Sequence, residues 1–329
     1  MTRRAKRAFY LGAVILVSGF LALNAVAYMH AYRMTHFSQQ GERTKAVEKL
    51  SFAQKVVVLF TGINARRPSA SVSPDEIDPP YRRISIPLED SDIRLGGWYS
   101  SMGDSACLVV LFHGYASEKT SMLKEAAAFR ELGCSVLLVD FRGSGESTES
   151  YTTVGYDEAQ DVKASLHFAE ANLPHSNLVL FGQSMGAAAI LCAIRKGQVN
   201  PDAVIIESVF DRLLNTIRNR FHLLGLPSFP SAELVAFWGG IQTGFNAFGH
   251  NPVDYAESVS CPVLFLHGVD DPKALIEEGR RVFDVISGIR VFVEFPNCGH
   301  ESLIGCDPER WKVAVTKFFN NALPNERRI

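Results

Sequence analysis

"LVLFGQSMGAAAILCAI", Leu178–Ile194, begins as an apolar run, breaks at Gly182, places Ser184 two residues later and passes through Gly186 into a run of alanines. A short, continuous apolar run is the pattern of a strand buried on both faces. The alanine-rich sequence after it reads as a helix. G-x-S-x-G carries little information alone, but here it has the strand–turn–helix setting that the motif requires. Such a turn holds its serine in a strained backbone and leaves no space for bulk two residues to either side, a demand that Gly182 and Gly186 meet. The hydroxyl then projects at the C-terminal edge of a sheet, beside a helix N-terminus that favours negative charge.

Working outward, strand and helix patterns alternate. "RRISIP" and "RLGGWYS" read as two early strands, and "ACLVVLF", "SVLLVD", "DAVIIES", "PVLFLHG" and "RVFVEF" as later ones. Helical patterns fall between them, among them "KTSMLKEAAAFRELG", "YDEAQDVKASLHFAEAN", "KALIEEGRRVFDVIS" and the closing "PERWKVAVTKFFNN". Alternation of this length predicts βαβ crossovers and a mostly parallel sheet covered on both faces. The rhythm fails after the sixth strand, over about residues 210–256, in a stretch rich in Phe, Leu and Gly that includes Trp238. A long insertion of this kind predicts a small helical lid, with additional packing helices as the plainer alternative.

Charge and hydropathy divide the 329 residues unevenly. Arg3, Arg4, Lys6 and Arg7 precede a stretch from Ala8 to Met29 without Lys, Arg, Asp or Glu. That length matches the ~20 residues needed to cross a bilayer, and the basic cluster before it predicts a cytoplasmic N-terminus. Residues 1–30 therefore read as a signal anchor, or as a cleaved signal peptide with an A-x-A-like site at "NAVA". Either reading exports the rest: the periplasmic side in a bacterium, the lumen or exterior otherwise. Residues 31–80 read as an amphipathic helix near Lys45–Phe60, lying on the bilayer or packed on the main domain, followed by the linker-like "RRPSASVSPDEIDPP". The main domain is expected over residues 81–325. Its acidic balance argues against a nucleic-acid partner, and the sequence carries no signature of oligomeric state. Cys107, Cys134, Cys192 and Cys261 read as buried free thiols. Cys298 and Cys306 lie close together in a loop-like stretch, where an oxidising compartment would permit a bridge; the spacing leaves their pairing open. No metal-ligand spacing occurs and no cofactor is implied.

A serine hydroxyl needs a base to take its proton, and the base needs a carboxylate to fix its tautomer. His300, in the turn-rich "FPNCGHES" between the last strand and the last helix, has the position for the base; His113 and His267 instead end apolar runs. The acid is expected between nucleophile and base in chain order, where "LFLHGVDDP" offers Asp270 and Asp271. The oxyanion donors are expected to be the backbone N–H of Met185, after the nucleophile, and that of Tyr115, in the loop after "VVLFHG".

With these pieces in view, the chain from about Tyr81 onward resembles the α/β-hydrolase-fold serine hydrolases, in the branch of serine aminopeptidase-like proteins, monoacylglycerol lipases and lysophospholipases. The resemblance rests on "LFHGY", "VDFRGSGES", "GQSMG", "PVLFLHGVDD" and "CGHES". It selects Asp271 over Asp270 as the triad acid. It also implies structural roles for Asp140, Arg142 and Gly143 and for Glu207 and Ser208. The expected activity is hydrolysis of carboxylic esters, of a lipid or small acyl ester or thioester, at a membrane; Arg212, Arg218 and Arg220 read as solvated faces, with contact to an anionic head group as the alternative. A peptidase or amidase of the same fold and a non-catalytic binding module are the alternatives.

Overall fold

The structure is a computed structural model and describes residues 2–45, 50–78, 80–103 and 107–323. Its centre is an eight-stranded sheet: β1 (Arg82–Pro87), β2 (Arg94–Ser100), β3 (Cys107–Phe112), β4 (Ser135–Val139), β5 (Asn177–Gln183), β6 (Ala203–Glu207), β7 (Val263–Gly268) and β8 (Arg290–Phe295). The order is β1-β2-β4-β3-β5-β6-β7-β8. β2 pairs antiparallel with both β1 and β4, and every pair from β4 to β8 is parallel. This is the α/β-hydrolase arrangement.

Alternation along the strands decides which face each side chain serves. In β3, Leu108, Val110 and Phe112 enter the core on one face, while Val109 and Leu111 enter the other. The first face is covered by α4 (Glu158–Asn172), α5 (Met185–Arg195), α8 (Pro252–Ala256) and α9 (Ile276–Asp284). The second is covered by α3 (Leu123–Glu131), α10 (Leu303–Cys306) and α11 (Pro308–Ala322), where Phe129, Phe181 and Trp311 pack as mutual ring neighbours. The even and odd residues of the same apolar run thus build two separate cores, which is why these strands show no polar alternation.

Between β6 and β7 lie α6 (Leu213–Leu224), α7 (Ser231–Thr243) and α8, where the sequence places its insertion. Gly225 and Gly244 end the first two helices in the left-handed conformation that glycine adopts without steric cost.

The N-terminal helix, α1 (Arg3–Thr35), is long and apolar enough to cross a membrane. Its most apolar window has mean hydropathy 2.0 and is not buried against the protein. From Ala27 onward the same helix docks on α7, burying Ala27 and Ala31. Trp238 Nε1 donates to Asn24 Oδ1 at 3.2 Å, and Gln242 Nε2 donates to the Tyr28 carbonyl at 2.9 Å.

The amphipathic stretch after it forms α2 (Phe52–Thr61), started by a Ser51–Gln54 capping box. Val47, which belongs to that periodicity, lies outside the described residues. The stretch read as a linker is tied to the body at its start: Arg67 N donates to Ser38 O, and Arg67 Nη1 to Glu149 O. One is a main-chain pairing and the other a side-chain bond to a carbonyl, and neither leaves a hydropathy pattern.

Candidate active site

β5 delivers Ser184 to the turn before α5. Its backbone has φ 52° and ψ −109°, a region costing a non-glycine residue about 1–3 kcal/mol. The surrounding chain enforces it: Ser184 N donates to Glu207 O at 2.8 Å, and its carbonyl accepts from Ala188 N at 3.0 Å. The flanking glycines are obligatory, since a Cβ on Gly182 would lie 2.6 Å from Ala187 N and one on Gly186 would lie 2.2 Å from Phe112 O.

Ser184 Oγ lies 3.0 Å from His300 Nε2, and His300 Nδ1 lies 2.6 Å from Asp271 Oδ2. Ser184 is 116 residues from His300 in the chain, and their meeting depends on the strand order, which aligns the C-terminal ends of β5, β7 and β8. The loops carrying the acid and the base are also joined directly, Asp270 N donating to Cys298 O and Val269 N to Phe295 O, each at 3.0 Å. Burial would raise the Asp271 carboxyl. The His300 hydrogen bond and charge, with N–H donors from Lys273 and Ala274, outweigh it and leave Asp271 below its ordinary value. An ionised Asp271 fixes His300 with Nδ1 protonated and Nε2 free to accept the serine proton.

Of the two candidate acids, the structure brings Asp271 to the histidine. His113 and His267 are buried and bonded to backbone carbonyls, at Gly114 O and Ala274 O. His113 Nε2 accepts from Phe141 N at 3.1 Å, so its Nδ1–H donates to Gly114 O and pins the loop that carries Tyr115. That loop borders the serine: a Cβ on Gly114 would lie 3.7 Å from Ser184 Cβ. Met185 is the first residue of α5, so its N–H has no intrahelical acceptor. The Tyr115 side chain has a separate task, donating its hydroxyl to Met34 O at the end of α1 (2.6 Å).

The residues implied to be structural lie around this group. Glu207 accepts from Gln183 Nε2, Leu303 N and Trp311 Nε1, beneath the elbow and the His300 loop. Burial, and next the Glu125 carboxylate, push Glu207 up to about 8. Asp140 accepts from Lys119 N and Glu146 N and pairs with Lys119 Nζ, while Arg142 is paired with Asp161. Cys298, two residues before His300, is bridged to Cys306 with a Cα–Cα distance of 6.0 Å. Cys107, Cys134, Cys192 and Cys261 lie outside that bridge; the first three are buried as expected, whereas Cys261 is half-buried.

Ser184 and His300 open onto a cavity of about 640 Å³. Arg43, Lys45, Arg220 and Lys273 line it, together with apolar residues of α1, α2 and α6. Of the three arginines singled out in the sequence, Arg220 reaches the cavity; Arg212 pairs with Asp254 and Arg218 with Glu233. Arg43, Lys45 and Lys273 carry no sequence signal for this site, because no local pattern links residues 43–45, 220 and 273.

The family described as serine aminopeptidase, S33, matches residues 103–212. The esterase Pf2001 of Pyrococcus furiosus superposes with a TM-score of 0.65 at 24% identity, covering 79% of this chain and all of that one. The chain is a serine hydrolase of the α/β-hydrolase fold. Among similar proteins, YqkD of Bacillus subtilis is 24% identical over 231 residues, covering 68% of the hydrolase and 75% of YqkD. Rv2307c of Mycobacterium tuberculosis is 27% identical over 271 residues, covering 77% of the hydrolase and 84% of Rv2307c. The mouse lysophosphatidylserine lipase ABHD12 is 24% identical over 209 residues, and the match spans 50% of that lipase. The hydrolase is of the esterase and lipase type, and its apolar N-terminal helix is a candidate anchor.

Proposed function

We propose that the hydrolase is a membrane-tethered esterase that cleaves carboxylic esters of anionic acyl amphiphiles through an acyl-enzyme on Ser184. The observation that carries this reading is the Ser184–His300–Asp271 hydrogen-bonded chain at the floor of a cavity both apolar and cationic. His300 Nε2 takes the Ser184 proton as Oγ attacks the ester carbonyl, and Asp271 stabilises the imidazolium. The Met185 and Tyr115 N–H groups receive the oxyanion. His300 then protonates the leaving alcohol and later activates the water that releases the acid.

The match to an aminopeptidase family keeps amide hydrolysis as the second reading. The cavity lining argues against it: an aminopeptidase must hold an α-ammonium group, and among the described lining residues there are four cations and no carboxylate. An anionic head group suits that lining, and one similar protein is a lysophosphatidylserine lipase. The compact basic N-terminal cluster favours a cytoplasmic N-terminus and so supports an extracytoplasmic catalytic domain, and the Cys298–Cys306 bridge suits an oxidising compartment.

A fluorophosphonate probe tests the nucleophile: it should label the wild-type protein and not Ser184→Ala. Lysophosphatidylserine should then be hydrolysed faster than lysophosphatidylcholine, and Arg220→Ala should reduce that preference. Equal labelling of both proteins would return the fold to a binding role, and faster turnover of aminoacyl amides than of esters would favour the peptidase.

A further inference from the structure

The cavity above Ser184 is built mainly from elements that the catalytic sheet does not supply. One side is α1, through Leu23, Val26, His30 and Met34. The others are α2 and α6, and the three are fastened together. His30 Nε2 lies 2.9 Å from Leu59 O of α2, and Lys55 Nζ donates to Leu223 O of α6 at 3.2 Å.

The position of α1 along its own length matters. A bilayer core of ~30 Å takes about 20 residues, and counting from Ala8, the first apolar residue after the basic cluster, reaches Ala27. Ala27 is where the helix becomes buried on α7. The cavity wall therefore begins at Leu23, within the last five residues of the ~20-residue apolar span. Tyr28 and Trp238, in edge-to-face contact at 5.3 Å, stand at this junction, where interfacial aromatic residues collect. The helices that line the cavity also carry exposed apolar residues: Phe52, Val57 and Phe60 on α2, Phe237 and Ile241 on α7. They continue the exposed apolar surface of α1.

From this juxtaposition we propose that α1 is a wall of the acyl-binding cavity as well as a tether, so that an acyl chain reaches Ser184 from the bilayer alongside Leu23 and Val26. The inference rests on the esterase reading above. It follows that removal of residues 1–27 as a signal peptide would open the cavity along one side, and that the working protein keeps its N-terminal helix. α1 also meets the catalytic machinery directly, since Met34 O accepts the hydroxyl of Tyr115, whose loop borders Ser184.

The test compares full-length proteins in vesicles of phosphatidylcholine and phosphatidylglycerol. For Val26→Trp, the ratio of kcat/KM on p-nitrophenyl dodecanoate to that on p-nitrophenyl acetate should fall about tenfold or more, the scale on which a hydrophobic pocket discriminates. Leu23→Ala, which recesses the wall and enlarges the cavity, should shift preference towards longer chains. Val14→Trp, on an exposed part of α1 that does not line the cavity, should leave the ratio unchanged. In parallel, cis-parinarate binding to Ser184→Ala protein reads the wall without chemistry, and adding Val26→Trp should weaken it about tenfold. An unchanged ester ratio together with unchanged parinarate binding overturns the proposal. Absence of wild-type hydrolysis and fluorophosphonate labelling would instead sink the esterase reading, while parinarate would still decide whether α1 forms a wall.

Discussion

Two buried acids at the site do opposite things with their protons. Asp271 is held ionised, with one oxygen on His300 Nδ1 and the other on two backbone N–H groups. Asp271→Asn keeps the shape but favours the wrong imidazole tautomer. The expected result is a loss of order 10⁴ in kcat with KM little changed, read from steady-state kinetics on a soluble ester. Glu207 is instead a buried carboxyl raised from 4.5 to about 8. The folded protein therefore holds a proton there that the unfolded chain releases above about 4.5. Folding stability from this group declines as pH rises from about 4.5 towards 8 and is undiminished below that window. Glu207→Gln keeps an acceptor for the neighbouring N–H donors and abolishes the titration. Melting temperatures from pH 5 to 8 should fall less steeply for the variant than for the wild type. Parallel curves would show that Glu207 does not titrate in that range.

At the scale of elements, the loop carrying His300 is held at both ends. Its start is bonded to the Asp270 turn, and the Cys298–Cys306 bridge closes a separation of 8 residues around the histidine. Chain entropy assigns a loop of that size about 2–3 kcal/mol. Cys306→Ser should lower Tm by about 4–8 °C and reduce kcat more than it raises KM, because the base loses its fixed approach to Ser184. Calorimetry with and without a thiol reductant checks it: reduced wild type should melt like the variant. A reductant-insensitive Tm would mean that the bridge is absent from the protein in solution. The elements themselves were largely legible in the sequence. Runs such as Leu178–Phe181 mark buried strands, and the order Ser184, an acid at 270–271, His300 across strand ends is readable from the turns that follow those strands. Asp271 was separable from Asp270 only by family resemblance, since both acids follow the same strand. What could not be read was the use of α1 as a wall. Ala31 and Tyr28 meet Gly239 and Trp238, about 210 residues later, and an apolar helix looks the same by itself whether lipid or protein covers it. The cationic lining was hidden for the same reason, because Arg43, Arg220 and Lys273 converge only through tertiary packing.

For the molecule as a whole, orientation in the membrane and oxidation of the His300 loop are a single linked question. On one side of the apolar stretch, Arg3, Arg4, Lys6 and Arg7 are crowded into a few residues; on the other, Arg33, Arg43, Lys45 and Lys49 are spread over a longer segment. Both groups lie within the ~15–20 residues that set orientation, so the bias towards a cytoplasmic N-terminus is narrow and rests on the compactness of the first cluster. Replacing all four with Gln (Arg3→Gln, Arg4→Gln, Lys6→Gln, Arg7→Gln) should invert a substantial fraction of molecules. An inverted molecule would place Cys298 and Cys306 in a reducing compartment and leave the exposed Cys306 thiol open to an impermeant maleimide after the membrane is opened. Cys107, Cys134 and Cys192 are buried and should stay silent under native conditions. Mass spectrometry of the labelled peptides should therefore find Cys306 unmodified in the wild type and modified in the quadruple variant. Labelling of Cys306 in the wild type would place the catalytic domain on the reducing side, and an unlabelled variant would show that these four charges do not set the orientation.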